Sequence, residues 1–379
     1  DGTADAGSDY TAANGTITFA PGVTTQNIPV AILTDAIDEA NETVTITLSN
    51  PSGNPPAVVI NDGTAVLTIS DDDLAPAISI DDVTTASEVG IGQQVTVRLN
   101  NASEQTVTVD YTTSDVTAWA GDDYTADNGT VTFNPGSISE TISIPILQDS
   151  IDEINETFEI QLSNPSNATI ADNTSIVTIT DDETTPSLSI SGSSAPDDNG
   201  TLTATVNLSG ASALTVEVDY ATSNGTATAG NDYIATSSML TFAPGQTSKP
   251  ISLTILGDVV DEEDEIFSVT LSNPDNATLG TATASMLITD NDPAPTISVA
   301  DISTTDETAT STNVVATLSA ASEKVITIDY TTSDGTADAG SDYTAANGTI
   351  TFAPGVTTQN IPVAILTDAI DEANETVTI

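Results

Sequence analysis

The chain has 379 residues, with 56 carboxylates against three cationic side chains, a formal net charge of −53, and neither histidine nor cysteine. A surface so unbalanced repels itself and any other polyanion, which excludes nucleic acid as a partner. The composition also excludes disulfides and thiolate or imidazole metal sites, so any metal must be held by oxygen.

Hydrophobic content is 38% and is laid out in short β-branched runs, which argues for folded strands rather than an acidic disordered tail. No stretch approaches the roughly 20 apolar residues of a membrane span, and no signal peptide is present. The strand pattern is under way at Asp1 and breaks off at Ile379, as expected of a segment of a longer array.

In chain order, the first feature is an acidic turn at 33–42, LTDAIDEANE, followed by alternating Thr and apolar residues. It recurs as LQDSIDEINE from Leu147, LGDVVDEEDE from Leu256 and LTDAIDEANE from Leu366. Asp-Tyr pairs keep the same beat, with Tyr10, Tyr124, Tyr233 and Tyr343 spaced by 114, 109 and 110 residues. Residues 1–46 are identical to 334–379, an offset of 333 residues or three repeats. A period near 110 is too long for a solenoid unit and suits a self-contained β domain. Acidic triplets at 71–73, 181–183 and 290–292 precede Pro-containing linkers, so the expected domains are 1–74, 75–184, 185–293 and 294–379.

Within 75–184 the alternation predicts strands at 77–80, 94–99, 106–112, 130–133, 141–147, 157–162 and 175–180. Asn134-Pro-Gly136 marks a tight turn between the fourth and fifth. No segment sustains a 3.6 period. Seven short strands in this length predict an all-β, seven-stranded immunoglobulin-like sandwich, repeated in an extended tandem array. If successive strands alternate up and down, every acidic loop falls at one end. These are Glu88, then Asp115 with Asp122 and Asp123, then Asp149, Asp152, Glu153 and Glu156, then 181–183. The opposite end carries Asn, Ser, Pro and Gly.

Carboxylates gathered this way repel unless a cation intervenes. Calcium fits, because it takes six to eight hard oxygens, including bidentate Glu and backbone carbonyls. The alternative is a solvated acidic face. Neither an EF-hand loop nor a Gly-rich nonapeptide repeat is present.

The strings DGTADAGSDYTAANGTITFAPG, DAIDEANETVTITLSNPS and the strand end ISDDD resemble the Calx-beta domain family over essentially the whole chain. The resemblance implies immunoglobulin-like sandwiches binding more than one calcium ion per domain at one tip. Carried over by motif, it implies the ligands Glu88, Asp123, Asp149, Ile151 (carbonyl), Glu153, Glu156, Asp181, Asp182 and Glu183 in 75–184. In 185–293 the same positions are Asp197, Asp232, Asp258, Val260 (carbonyl), Glu262, Glu265, Asp290, Asn291 and Asp292. The first partial domain offers Asp9, Asp35, Ile37 (carbonyl), Glu39, Glu42, Asp71, Asp72 and Asp73. The last offers Glu307, Asp342, Asp368, Ile370 (carbonyl), Glu372 and Glu375. Thr34, Gln148, Gly257 and Thr367 stand where a fully loaded member has a further Asp, and Asn291 replaces a triplet acid, so fewer ions than the family's maximum are expected.

Paired carboxylates also serve glycosidases, but an identical set in every repeat and the lack of histidine argue against catalysis. Trp119 stands where other repeats have Asp5, Thr228 and Asp338, and is read as a local packing substitution. Val116 replaces a glycine of the other repeats, so its turn must differ. Tyr111, Tyr124, Tyr220 and Tyr233 are expected at core edges, and Asn41, Asn155 and Asn167 are among the residues heading glycosylation sequons. The expected role is an extracellular or cell-surface stalk or filament segment, with calcium clamping the junctions between repeats. Its expected partners are neighbouring repeats and parallel copies of the chain. The alternatives are a calcium-dependent glycan- or protein-binding module, and a calcium sensor coupled to a domain outside this sequence.

Overall fold

The computed structural model describes residues 2–53, 58–84, 88, 92–303, 308–367, 369 and 371–379. Two compact units divide the chain, Asp1–Glu183 and Thr184–Ile379. Among the described residues every regular element is a strand, and no helix is long and apolar enough to cross a membrane.

In the first unit the complete repeat runs β1 (Ala77–Ile80), β2 (Val83–Thr84), β3 (Gly92–Leu99), β4 (Val107–Asp115) and β5 (Asn128–Phe133). It continues through β6 (Ser139–Pro145), β7 (Glu156–Ser166), β8 (Thr169–Ile170) and β9 (Thr174–Ile179). One sheet has the order β6-β3-β1-β8, the other β2-β9-β7-β4-β5. The seven expected strands are present, and two short ones join them. The extra β2 arises because the first strand changes sheets. At the crossing the Asp81 carbonyl accepts Ser175 Oγ at 2.7 Å and Asp82 Oδ1 accepts the Ile176 N–H at 2.8 Å, so the chain pairs in parallel with β9 instead of continuing along β3.

Alternation decides which side chains meet. β3 buries Val95, Val97 and Leu99 and turns Gln94 and Arg98 to solvent. With Ile78, Ile80, Ile142 and Ile144 these form one wall of the core. The other wall is Val107, Val109, Phe133, Phe158, Ile160, Leu162, Val177 and Ile179, buried against it. Tyr124 is 1% exposed and stacks on Phe158 with ring centroids 4.1 Å apart. Tyr111 is only partly buried, so one tyrosine of that pair belongs to the core and the other to its margin.

The turns opposite the acidic loops have local causes. Gly136 sits at φ +79°, where an L side chain is disfavoured, and its N–H donates to the Ser103 carbonyl at 2.9 Å. Asn164 and Asn167 also take positive φ, at 49° and 56°, beside the irregular register between Ser163 and Ser166. Asn167 Nδ2 donates to the Thr106 carbonyl at 3.0 Å, so this sequon nitrogen is already engaged.

The second unit repeats the plan, with sheets of four and five strands around Leu188, Leu202, Val206, Val218, Phe242 and Leu253. Its Tyr233–Phe267 stack measures 4.0 Å. The incomplete repeats are sparser. The first pairs Tyr10–Thr11 with Ala31–Ile32 and Glu42–Thr47 with Thr64–Ile69. The last forms a sheet of Ile297–Val299, Ser311–Leu318 and Thr358–Ala364, and pairs Ile326–Thr331 with Asn347–Phe352.

Phe158 lies at the meeting of both walls and the tyrosine stack. Phe158→Ala is expected to cost its repeat about 3–5 kcal/mol. Hydrogen exchange in a urea series should show protection lost earlier in 77–179 than in 187–289.

Candidate metal centre

Each tip is assembled from loops at the same end of a repeat. In the first loop a single turn holds the aspartate of the Asp-Tyr pair. Asp123 N–H donates to the Trp119 carbonyl at 3.0 Å, and its Oδ2 accepts the Trp119 N–H at 2.6 Å. The same closed pair joins Asp9 to Asp5, Asp232 to Thr228 and Asp342 to Asp338. One carboxylate oxygen is thereby fixed by the chain and the other left to face the neighbouring loop. In Asp9 the Asp5 N–H holds the carboxyl below its usual range.

The acidic turn forms the second wall. Its leading aspartate folds onto the amide two residues on: Asp35 Oδ1 accepts from Ile37 at 2.8 Å, Asp149 from Ile151 at 2.7 Å and Asp258 from Val260 at 2.8 Å. This small loop sends the glutamates toward the Asp-Tyr aspartate. Single oxygens of Asp9, Glu39 and Glu42 lie within 4.8 Å of one another, as do those of Asp123, Glu153 and Glu156. Asp232, Glu262 and Glu265 repeat the arrangement, and so do Asp342, Glu372 and Glu375.

The triplet supplies the third wall. Asp71 and Asp181 accept the N–H groups of Glu39 and Glu153, at 3.3 and 3.1 Å. Their own N–H groups donate to Asn41 and Asn155 Oδ1, at 3.1 and 3.2 Å, which accounts for the asparagine in DEANE and DEINE. Asp9, Asp35, Glu39, Glu42 and Asp71 to Asp73 line one depression in the first repeat. In the third repeat Asp197, Asp232, Asp258, Glu262, Glu265 and Asp290 line another. Asp197, Asp290 and Asp292 form a second three-oxygen group there. Glu88 is 7% exposed and lies in the field of Asp149, Glu183, Glu153 and Asp181. Asp182 borders Asp181 and Glu183, and the Asn291 backbone hydrogen-bonds Asp197. Glu307, Asp368 and Ile370 lie outside the described residues.

These groups suit a hard cation on their own geometry. Glu42 Oε2, Glu183 Oε2, Asp197 Oδ1 and Asp292 Oδ2 are buried without a hydrogen-bond donor. A buried acceptor lacking a donor and ringed by like charges is costly unless a cation meets it. Unit charges 4.8 Å apart, the limit set for Asp123, Glu153 and Glu156, repel by about 3–4 kcal/mol at an effective dielectric of about 20. Burial, reinforced by neighbouring carboxylates, raises Glu39, Glu42, Glu88, Glu153, Glu156, Glu262 and Glu265 to about 7.

Three acids of the acidic ends do other work. Asp115 Oδ1 accepts the Tyr124 hydroxyl at 2.6 Å and the Ala120 N–H at 3.0 Å, so it pins the loop. Asp38 and Asp261, absent from the expected ligands, are 6% and 5% exposed and dock the following repeat. Ser103 Oγ donates to Asp38 Oδ2 at 2.7 Å and to its carbonyl at 3.0 Å, and the Glu104 N–H donates to that carbonyl at 3.0 Å. In the second unit Ser322 and Glu323 bind Asp261 identically, at 2.6, 3.0 and 2.9 Å. The sequence signal was the Ala-Ser pair at 102–103 and 321–322.

The reading of Trp119 as a packing substitution is corrected: its side chain is 63% exposed, because its backbone is held in the Asp123 turn. Val116 is 52% exposed, and its turn keeps the bonding found at Gly335: the N–H groups of Thr117 and Ala118 donate to the Thr157 carbonyl as those of Thr336 and Ala337 do to Thr376, so the expected difference is not seen there. At the matching Gly225 a Cβ would lie 2.3 Å from the Ile266 carbonyl oxygen, an approach that only glycine permits.

The Calx-beta domain profile matches residues 1–73, 76–183, 190–292 and 293–379. Sodium/calcium exchanger 1 of Rattus norvegicus is 33% identical over 182 residues, covering 44% of this chain and 19% of the exchanger. FRAS1-related extracellular matrix protein 2 of Homo sapiens is 32% identical over 261 residues, 63% of this chain and 8% of that protein. Extracellular matrix protein 3 of Lytechinus variegatus is 26% identical over 383 residues, 91% of this chain and 12% of that protein. The chain therefore spans less than a fifth of the length of these relatives.

A glutamate raised in the fold binds its proton more tightly there than in the unfolded chain. The fold thus carries extra protons between about pH 4.5 and about 7 and loses stability as pH rises through that window. In a chelator, melting temperature should fall across that range. Glu156→Gln should flatten the fall, as read by calorimetric scans at several pH values.

Proposed function

We propose that this chain, which belongs to the Calx-beta domain family through four successive domain matches, is a calcium-binding structural segment whose bound ions clamp the joints between repeats. One observation carries the reading. The turn that supplies Glu39 and Glu42 also supplies Asp38, bonded to Ser103 of the next repeat, and 261–265 does the same toward Ser322. A cation seated among the glutamates orders the backbone that seats the neighbour.

The ligands proposed are the residues carried over from the family motif. Calcium suits them because they offer many hard oxygens and no nitrogen or sulfur. The two oxygen groups of the third repeat, Asp232 with Glu262 and Glu265, and Asp197 with Asp290 and Asp292, support more than one ion per domain. When bound, calcium supplies charge neutralisation and cross-linking of loops, and no chemistry beyond that.

Similarity to two extracellular matrix proteins supports a place outside the cell. There, weak sites with Kd of about 10⁻⁴–10⁻³ M suffice. The role proposed is a rigid stalk of a cell-surface adhesin or extracellular filament. Trp119 stands in one repeat of the four, so it offers no repeated recognition surface and favours the structural role over a glycan- or protein-binding one.

Calorimetric titration of the chain with calcium should give several sites in that affinity range. At about 1 mM calcium each site of Kd about 10⁻⁴ M adds about 1.4 kcal/mol. Melting in EDTA should therefore come substantially lower, and an unchanged melt rejects the calcium reading. At pH 6.5 binding should release protons, seen as an enthalpy that varies with the buffer's ionisation heat. Small-angle scattering should show a more flexible particle after chelation, and identical profiles in both states would refute the clamp.

A further inference from the structure

Lys324 is one of three cationic residues in the chain and the one that stands at a joint between repeats. Its Nζ donates to Asp261 Oδ1 at 2.9 Å and to Asp290 Oδ2 at 3.0 Å. Both acids belong to the preceding repeat, and their side chains are 6% and 11% exposed. The other oxygen of Asp290 accepts the Asp292 N–H at 3.2 Å, so this triplet acid is satisfied on both sides.

The first unit has the same joint with a different residue. Gln105 and Lys324 each follow the seated serine by two positions, and their N–H groups donate to its Oγ at 3.0 and 3.1 Å. Gln105 Nε2 reaches the Glu39 carbonyl at 3.3 Å and Asp38 Oδ2 at 3.5 Å. These are long hydrogen bonds from a neutral amide, and they bring no positive charge. In the remaining repeat the position is Leu214.

An ammonium bridging two shielded carboxylates carries charge on both sides of each bond, and its bonds are shorter and stronger than those of the neutral Gln105 amide. It is covalently part of the chain, so its local concentration does not fall when the surrounding calcium does. We propose that Lys324 is a tethered counter-ion that keeps the joint between 185–293 and 294–379 closed when calcium is removed, whereas the joint at Gln105 depends on the metal. The proposal rests on the calcium reading above and adds that joints within the array are unequal.

The chain has no cysteine, so spin labels can be placed cleanly in the whole protein. Exposed positions serve as pairs: Thr47→Cys with Thr132→Cys across the first joint, and Thr270→Cys with Thr351→Cys across the second. Pulsed electron resonance then reads the distance distribution of each pair with calcium and with EDTA. In EDTA the first pair should lose its narrow distribution and the second should keep it. Lys324→Gln should lose the second in EDTA and recover it with calcium, which separates a weakened joint from a misfolded repeat. Gln105→Lys should preserve the first pair in EDTA.

Broadening of the second pair in EDTA with Lys324 intact would overturn the lysine's role while leaving the calcium clamp standing. If the second pair stays narrow in EDTA despite Lys324→Gln, the lysine is not the tether. If the first pair also stays narrow, the calcium clamp fails with it.

Discussion

Repulsion among carboxylates whose oxygens lie within 4.8 Å of one another at the tips is the constraint on which the rest of the structure depends. The loops offset part of it with their own donors. Each Asp-Tyr aspartate is held by the amide four residues earlier, and Asp35, Asp149 and Asp258, which lead the acidic turns, by the amide two residues later. These bonds orient one oxygen and leave another turned toward the like charges of the next loop. The buried oxygens of Glu42, Glu183, Asp197 and Asp292 remain without donors. Glutamates raised to about 7 by burial describe the same deficit in protons. The fold thus concentrates uncompensated negative charge at its tips, and the sandwich beneath supplies the rigidity that holds the loops together.

The same loops are the seat of the next repeat. Asp38 and Asp261 lie one residue before the glutamates of the tip, and they accept the serine and amide of the following domain. The carboxylates of the tip and the geometry of the joint are therefore set by one short backbone segment. Coupling needs no relay through the core, because Asp-Glu neighbours share a peptide bond. Residues in the seated loop can then tune a joint from the neighbour's side, and Lys324 does so by bonding Asp290 of the tip itself. Gln105 reaches the same segment with long bonds from a neutral amide, and Lys324 with a fixed positive charge.

Not every acid near a tip belongs to it. Asp115, like Asn224 and Asp334 at the matching positions, accepts the hydroxyl of the buried tyrosine and a backbone amide. That asparagine serves equally well shows the position wants an acceptor and not a charge. The buried tyrosine in turn stacks on the phenylalanine of the adjoining strand. The loop carrying the Asp-Tyr aspartate is thereby stapled to the core by its neighbour in sequence.

The amino-acid sequence alone determined the strand class, the repeat of about 110 residues and the gathering of acids at one end, because alternation and turn residues are local. Seven strands of the complete repeat follow directly from it. Beyond its reach lay anything that depends on which segments meet. The change of sheet at Asp81 and Asp82 depends on Ser175 and Ile176, almost a hundred residues on. The docking role of Asp38 depends on Ser103 in another domain. The identical stretches 1–46 and 334–379 make the point most directly. In the last repeat Asn347–Phe352 and Thr358–Ala364 are strands, and Phe352 is 1% exposed. The same residues near the start form no such strands, and Phe19 is 52% exposed. In the last repeat these strands pair with Ser311–Leu318 and Ile326–Thr331. A strand needs its neighbour's hydrogen bonds and its sheet's opposite wall, so pattern specifies what a segment can become and only tertiary pairing decides what it is.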